Sequence, residues 1–207
     1  LIGLYLSGHP LNRYKEDINL FGKQNLKEET IQNLQNDSEL RFIAIITGKR
    51  QIVDKKGRPI AFLMVEDLHS SVEVCVFSNE FDKFSALLEV DNVIYFTCRY
   101  SMRDRGNSLI VANMERVENL REKFQDRLRL KLDISTEGLT SEDLMQMQTL
   151  FELNKGTTMV KLAVHSKEAT APIKMNVRNF VVEPSDELLK GLKKVLGEEA
   201  VELVLTS

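Results

Sequence analysis

Lysine and arginine residues gather in two short stretches near the middle of the chain, where they have the clearest chemical role in the sequence. The first stretch holds Lys49, Arg50, Lys55, Lys56 and Arg58, and the second holds Arg99, Arg103 and Arg105. Residues 40–119 contain 11 Lys or Arg and 11 Asp or Glu, yet eight of these positive residues lie in the two stretches beside two acids, Asp54 and Asp104. Positive charge clustered on a neutral domain is typical of a local site for phosphate groups. The sequence therefore predicts a binding site for a phosphate-rich ligand.

Residue types that perform catalysis or bind metals occur singly. The three histidines lie in three different predicted elements: His9, His69 and His165. Glu66 and Asp67 are adjacent, but two-metal catalysis needs several carboxylates that converge on ions about 4 Å apart, and the pattern positions no third acid. Neither of the glycine-rich phosphate motifs, GxxxxGK and GxGxxG, occurs. We therefore expect no catalytic residue, metal site or cofactor in this sequence, and we expect the histidines and acids to serve as caps and turn residues.

Apolar residues between positions 40 and 119 alternate in a way that predicts five short strands, with one helix between the third and the fourth. The predicted strands are 40–53, 58–66, 72–77, 93–102 and 108–117, and the predicted helix is 79–88. This order matches the OB-fold, a small partly open barrel that binds oligonucleotides through the loops between strands 1 and 2 and between strands 4 and 5. The two basic stretches coincide with these loops, which we expect the barrel to bring together at one end.

Binding of single strands also needs aromatic faces on which bases stack, each worth about 1–3 kcal/mol per base. The candidate aromatic residues in the predicted strands are Phe62, Phe77, Tyr95 and Tyr100. Alternation places Tyr100 on the interior face, whereas Tyr95 shares a face with Arg99 and is the better outward candidate. The predicted nucleic-acid interface therefore comprises Lys49, Arg50, Lys55, Lys56, Arg58, Tyr95, Arg99, Arg103 and Arg105.

The chain on either side of the predicted barrel has a different character. Residues 1–39 read as a helical segment, and residues 128–207 alternate between strands and helices as a small α+β domain. In this domain Thr140 and Asp143 form a capping box for a helix over 141–153 with Gly156 at its exit, while Ser185 caps a last helix that Gly197 ends. The domain shows no basic cluster, and its last 25 residues hold six acids and three lysines, which favours a protein partner. The predicted fold class is mixed: a helical N-terminal segment, a five-stranded OB-fold barrel with an inserted helix, and an α+β C-terminal domain.

Composition restricts the class of protein further. Apolar residues make up 43% of the chain, charged residues make up 29%, and the net charge is −3, which is ordinary for a globular protein and argues against coating nucleic acid over the whole surface. No apolar run approaches the roughly 20 residues that span a bilayer. Cys75 and Cys98 have no CxxC partner, which favours buried thiols in a reducing cytosol. We expect a cytoplasmic protein that does not contact membranes, and, because the chain starts at Leu1, a piece of a longer one.

Several short segments then point to one family. They are residues 4–11 (LYLSGHPL), 61–67 (AFLMVED), 72–77 (VEVCVF), 81–84 (FDKF) and 182–189 (VEPSDELL). In this order they resemble the late part of the catalytic alpha subunit of bacterial DNA polymerase III, whose final domain carries a V-x-P-S-D-x-L-L pattern. The resemblance covers essentially all 207 residues.

The resemblance implies a non-catalytic C-terminal region of a DNA-directed DNA polymerase, a nucleotidyltransferase. Its OB domain (40–119) would bind single-stranded template DNA, and its terminal domain (128–207) would bind the tau subunit of the clamp loader. Residues 1–39 would lead to upstream polymerase domains, which hold the active site and its metal-binding aspartates. The family's peptide for the sliding clamp is expected shortly before Leu1. Residues 146–151 (QMQTLF) loosely resemble such a peptide, but Thr149 replaces a large apolar residue, so we expect ordinary helix and core positions there.

Two other interpretations stay open. The OB domain could serve purely as a protein-interaction adaptor within the polymerase holoenzyme, without contact to DNA. It could also be the tRNA-anticodon-binding OB domain of a synthetase, although neither the segment 4–11 nor the final α+β domain belongs to that family.

Overall fold

A computed structural model describes residues 9–102, 107–168 and 170–206, and the chain divides into two compact units with a boundary between Leu120 and Arg121. The boundary lies within the charged stretch that separates the two predicted domains. No helix in the described parts of the chain is long and apolar enough to cross a membrane.

The first unit contains a closed five-stranded barrel. Its strands are β1 (Glu39–Val53), β2 (Pro59–Glu66), β3 (Ser71–Val76), β4 (Val93–Ser101) and β5 (Ser108–Arg116), in the order β1-β2-β3-β5-β4. Helix α3 (Ser78–Phe84) connects β3 to β4 and continues as a 3-10 turn over Ser85–Leu87. The predicted strand order and the inserted helix are therefore confirmed, and the fold is the OB-fold.

Strand β1 can join both halves of the barrel because it is long and interrupted. Its first half pairs with β4 through residues 39–45, and its second half pairs with β2 through residues 45–53. A register shift between Ile46 and Gly48 breaks the ladder with β2, and such bulges bend a strand. The bend lets one strand close the barrel around a core in which Phe42 stacks on Phe96 with ring centroids 5.4 Å apart.

The segment before the barrel packs on its outer surface. Here the described elements are a 3-10 helix over Pro10–Tyr14, helix α1 (Lys15–Phe21) and helix α2 (Glu28–Gln32). His9 accepts a hydrogen bond from the Leu11 amide at 3.1 Å and so caps the first turn, as expected for a histidine in this position. Leu11 and Phe21 are buried, and α1 contacts β1. The helical segment and the barrel thus form one compact unit.

Asp67 fastens this segment to the turn between β2 and β3. Its buried carboxylate accepts hydrogen bonds from the amides of Leu26 at 2.7 Å and of His69 and Ser70 at 2.8 Å. The carboxylate is therefore a turn acceptor, as the sequence predicted, and it ties a residue 41 positions away to the barrel.

Tyr14 holds the same segment to the end of β5 by donating a hydrogen bond from its hydroxyl to Glu118. Burial and this bond to the neighbouring carboxylate raise the pKa of Tyr14 from 10.0 to about 12. As the pH rises, the unfolded chain loses the Tyr14 proton at a lower pH than the folded chain does. The stability contributed by Tyr14 is therefore complete below about pH 10 and is lost as the pH rises toward 12.

We expect the free energy of unfolding to fall more steeply between about pH 10 and 12 in the wild type than in Tyr14→Phe. Urea unfolding at each pH measures the difference, and equal slopes would contradict the assignment.

The second unit is a four-stranded sheet with helices on one face. Its elements are α4 (Leu120–Lys123), β6 (Leu128–Ser135), α5 (Ser141–Leu153), β7 (Lys155–His165), β8 (Ile173–Val182), α6 (Asp186–Leu196) and β9 (Val201–Leu205). The strand order is β8-β7-β6-β9, with β6 and β7 parallel across α5. The capping box at Thr140 and Asp143 and the N-cap at Ser185 are both present, and Gly197 ends α6. The predicted α+β unit is confirmed.

Gly156 has a different role from the predicted one. Helix α5 ends at Leu153 with Asn154 as its cap, and Gly156 lies in β7. A Cβ atom there would lie 2.6 Å from the carbonyl carbon of Val182 and 2.7 Å from the Cα of Glu183. Gly156 is therefore needed because the backbone leaving β8 passes directly over it.

Gly156→Ala should destabilise the second unit by about 1–3 kcal/mol, since the added methyl meets backbone that must shift. Gly48→Ala is a matched control, because a Cβ there makes an ordinary 3.4 Å contact with Met64. Hydrogen exchange of the β7 and β8 amides in the full chain measures the loss. Unchanged protection in Gly156→Ala would show that the close approach relaxes without cost.

Candidate nucleic-acid interface

The outer surface of β2 and β3 is the part of the barrel left open beside the basic turn. Strand register places Phe62 and Met64 of β2 outward, next to Arg50 of β1 and Glu73 of β3. Residue 110 of β5 pairs with Cys75 and extends the same surface. We call this surface the β2–β3 face and define it by Arg50, Phe62, Met64, Glu73 and Ile110.

An arginine lies over an aromatic ring at the centre of this face. The guanidinium carbon of Arg50 is 4.2 Å from the centroid of the Phe62 ring, and its Nη2 is 3.6 Å from Oε2 of Glu73. Phe62 is half-buried, and Met64 beside it is 41% exposed. Phe62 and Met64 form the apolar floor of a platform and Arg50 supplies one cation, which is the combination on which unpaired bases stack.

The turn between β1 and β2 presents two lysines at one end of the face. Asp54 organises the turn by accepting hydrogen bonds from the amides of Lys56 at 2.8 Å and Arg58 at 2.9 Å, while Gly57 takes a φ of +78°. These bonds, led by that from the Arg58 amide, lower the pKa of Asp54, and the carboxylate also pairs with the Arg58 guanidinium at 2.9 Å. Lys55 and Lys56 are exposed and form no ion pair with any residue that the structure describes. The positive charge available at this turn therefore comes mainly from these two lysines.

Lys49 does not lie on the face with Arg50. In the β1–β2 register it is opposite Leu63, a residue of the barrel core, and its Nζ forms an ion pair with Glu89 at 2.9 Å. Adjacent strand residues point to opposite sides, so a run of two basic residues cannot serve a single face. The prediction that Lys49 belongs to the same interface as Arg50 is therefore corrected, because the two side chains lie on opposite sides of β1.

Tyr95 does share the outward face of β4 with Arg99, but its ring is not open to a ligand. Tyr95 is 8% exposed and lies beside Ile43, on the side of the barrel that α1 covers. Its predicted role as a stacking platform is therefore wrong, whereas Phe62 is a half-buried aromatic ring beside a cation. Tyr100 points into the core as predicted.

Arg99 lies at the border of the β2–β3 face. It is exposed, pairs in register with Ile110, and has no ion-pair partner among the described residues. Arg103 and Arg105 lie outside the described residues.

The turn between β1 and β2 and the described residues that flank the β4–β5 loop lie at opposite ends of strand β2. Strand β2 starts at Pro59, directly after the β1–β2 turn, and its other end leads into the turn at residues 67–70. Met102 and Asn107, which flank the β4–β5 loop, line one cleft with Ser70 and Ser71. The eight residues of β2, roughly 25 Å of extended chain, therefore separate the β1–β2 turn from Met102 and Asn107. The expectation that the two basic loops meet at one end depends on residues 103–106, which lie outside the described residues.

Met64 and Ile110 are parts of the face that the sequence reasoning did not identify. Alternation along β2 could have revealed Met64, because it is two residues from Phe62 and so points to the same side of the strand. The position of Ile110 depends on the pairing of β5 with β3, which only the closed barrel defines.

Histidine, cysteine and acidic residues are the other groups of chemical interest in the described part of the chain. No group of three or more His, Cys, Asp or Glu side chains there could hold a metal ion. His9 and Glu66 form a pair at 3.2 Å, and His165 and Asp133 form one at 2.9 Å. Both cysteines are buried, and burial raises the pKa of the Cys98 thiol, so it is unreactive.

Comparison with known proteins agrees with this architecture. Residues 40–117 match the family model described as OB-fold nucleic acid binding domain. Over 98% of its length the chain is 28% identical to the DNA polymerase III subunit alpha of Escherichia coli (strain K12), and over 97% it is 26% identical to that of Pseudomonas aeruginosa. The chain spans 17% of the length of each of these relatives.

Solved structures that match part of the chain have much lower sequence identity. The mitochondrial single-stranded DNA binding protein Rim1 from S. cerevisiae is 9% identical, with a TM-score of 0.33 over 40% of this chain and 96% of that one. A small single-stranded DNA-binding protein from Streptomyces coelicolor is 13% identical, with a TM-score of 0.33 over 40% of this chain and 94% of that one. The matches to polymerase subunits, by contrast, extend from the first segment through the terminal sheet. The resemblance predicted from the motifs is thus confirmed: this chain is similar, along nearly its whole length, to part of the alpha subunit of bacterial DNA polymerase III, and its barrel matches the model of an OB-fold domain family.

Proposed function

We propose that the barrel binds single-stranded template DNA across the β2–β3 face during bacterial chromosome replication, as a non-catalytic region of a polymerase III alpha subunit. The observation that carries the proposal is the platform of Arg50 over Phe62, with Lys55 and Lys56 at one end of it. Bases would stack on the Arg50–Phe62 pair while the lysines neutralise phosphates.

The ion pairs of the barrel set the expected strength of binding. Arg50 and Arg58 are already paired with Glu73 and Asp54, so a phosphate must compete with a carboxylate for each of them. Lys55 and Lys56 have no such competitor among the described residues. We therefore expect weak to moderate affinity that falls steeply with salt, which suits a template strand that must slide through the polymerase.

The roles of the longer protein belong to the same proposal. We place the chain beside upstream polymerase domains with DNA-directed DNA polymerase activity, in the cytoplasm, near a sliding clamp that binds a peptide outside this sequence. The terminal unit would bind the tau subunit of the clamp loader. The support is the resemblance over the full chain together with the acidic last 25 residues, which suit a protein partner.

Fluorescence anisotropy of labelled single- and double-stranded oligonucleotides across a salt series tests the DNA proposal. We expect preference for single strands, with a log–log salt slope of about −0.7 for each phosphate contacted. Absence of binding at about 50 mM salt, where phosphate contacts are strong, would exclude template binding by this region. The adaptor interpretation would then be favoured, and immobilised tau subunit would be the ligand to test.

Phe62→Ala should weaken binding of single strands about 5- to 150-fold, because one stacked base is worth about 1–3 kcal/mol. The salt slope should stay unchanged, since no phosphate contact is lost. Tyr95→Leu, which removes a buried ring, is the control: the affinity of this variant should equal that of the wild type, because the ring of Tyr95 is not open to a base. A loss with Tyr95→Leu but none with Phe62→Ala would reverse the assignment of the stacking residue.

A further inference from the structure

The terminal sheet carries a basic surface that lies on the side away from its helices. Helices α5 and α6 cover the side where Leu130 and Leu132 are buried, and alternate residues point to the open side. A concavity of about 350 Å³ on the open side is lined by three lysines, Lys131, Lys161 and Lys174, together with Leu162, Ala163, Met175 and Asn176. We call this the lysine surface. It corrects the sequence-based view that this domain has no basic cluster.

Strand register brings the three lysines together. Lys131 of β6 pairs directly with Lys161 of β7, and neighbouring strands lie about 4.8 Å apart. Lys174 of β8 is opposite Ala163, two positions along β7 from Lys161, a diagonal spacing of about 7–8 Å. Like charges at such positions in a sheet repel each other and destabilise it. The unliganded fold therefore keeps an unfavourable arrangement that an external anion would relieve.

The counter-charge inside the domain is incomplete. Lys131 forms an ion pair with Glu202 at 3.2 Å, in which both side chains are largely exposed. Asp133, the other acid on this side, is paired with His165 at 2.9 Å. Lys161 and Lys174 form no ion pair within the described part of the chain. Two cationic groups thus face the concavity without a partner that the structure describes.

We propose that the lysine surface binds the phosphodiester backbone of single-stranded nucleic acid, as a second contact for the strand held by the barrel; this rests on the proposed function. No aromatic side chain lines the concavity, so binding there would act through phosphate charge alone and would not depend on base sequence. Three lysines by themselves bind such a strand weakly. A DNA strand already bound by the barrel is at a high effective concentration near the lysine surface, so even a weak contact there adds to the overall affinity.

The experiment uses the full 207-residue chain labelled with ¹⁵N and an unlabelled 25-nucleotide oligo(dT). We expect amide resonances of Lys131, Lys161 and Lys174 to shift together with those of the β2–β3 face. In Lys161→Gln/Lys174→Gln the shifts in the terminal sheet should vanish while the barrel shifts persist. The affinity measured by anisotropy should fall about tenfold and the salt slope by about 1.4, since two contacts are lost. Lys190→Gln/Lys194→Gln, with the same change in charge on exposed positions of α6, should match the wild type.

The outcomes separate this inference from the function proposed for the barrel. Shifts confined to the barrel would overturn the lysine surface and leave template binding intact. Shifts confined to the terminal sheet would overturn the barrel proposal and with it the idea of a shared strand, and absence of all shifts would overturn both. A poly-glutamate peptide that shifts the three lysines more than oligo(dT) does would show that the surface takes an acidic protein segment instead.

Discussion

Replacing Lys55 and Lys56 by glutamate should lower the affinity for single-stranded DNA on the order of 100-fold at about 50 mM salt, an effect of about 2.7 kcal/mol. The two lysines are exposed and have no ion-pair partner among the described residues, so their charge is available to phosphates. Glutamate removes two contacts and adds repulsion, and the salt slope should fall by about 1.4. Anisotropy across a salt series measures both quantities on the same samples.

A charge-matched variant shows whether the position of the lysines matters or only the net charge. Lys83 and Arg116 are exposed residues of the barrel that do not belong to the β2–β3 face. Lys83→Glu/Arg116→Glu should therefore weaken binding only slightly, through long-range repulsion that salt screens. Equal losses in the two variants would mean that the barrel attracts DNA by net charge and has no defined site at the turn.

Phe96→Ala should destabilise the barrel by about 3–5 kcal/mol, the usual cost of removing a buried phenylalanine. Phe96 is fully buried in β4 and stacks on Phe42. Loss of its ring would leave a cavity, because the strands of a closed barrel cannot move together to fill the space. Urea unfolding followed by circular dichroism gives the free energy. Hydrogen exchange then assigns the loss to the barrel, because the terminal sheet has its own core and should keep its protection.

Phe62→Ala is the matched control for this prediction. It removes the same side chain from the same barrel, but at a half-buried position on the outer face. It should cost far less stability than Phe96→Ala while reducing DNA affinity, so the two variants should separate folding from binding. A similar loss of stability in both would show that Phe62 belongs to the core and is not a platform for bases.

Local features of the chain were predictable because short-range interactions determine them. Alternation of apolar residues defined the strands of the barrel, Asp54 and Gly57 defined the turn between the first two strands, and Thr140 and Ser185 defined helix starts. Each of these depends on hydrogen bonds within a few residues or on the alternation of side chains along a strand. The order of strands and helix then restricted the fold to the OB-fold, since few arrangements accept that order.

The residues of the binding face were less predictable. Alternation along a strand shows which side of the sheet a side chain points to, but it does not show which other elements cover that side. Tyr95 and Arg99 share an outward face, yet the N-terminal segment buries the former and leaves the latter exposed. Lys49 and Arg50 are neighbours in sequence, yet they take opposite sides of one strand, and a glutamate 40 residues away neutralises Lys49. Burial and ion pairing here depend on elements distant in the chain.

The sequence by itself determined the barrel, its basic turns, the α+β unit and the resemblance to a polymerase subunit, because each is encoded in residues close together along the chain. The tertiary structure alone decided that the Arg50 guanidinium lies over the Phe62 ring, that Gly156 lies beneath passing backbone, and that three lysines meet on the terminal sheet. Each of these results from strand register between segments far apart in sequence. Register is set by the packing of the whole core, which no local pattern contains.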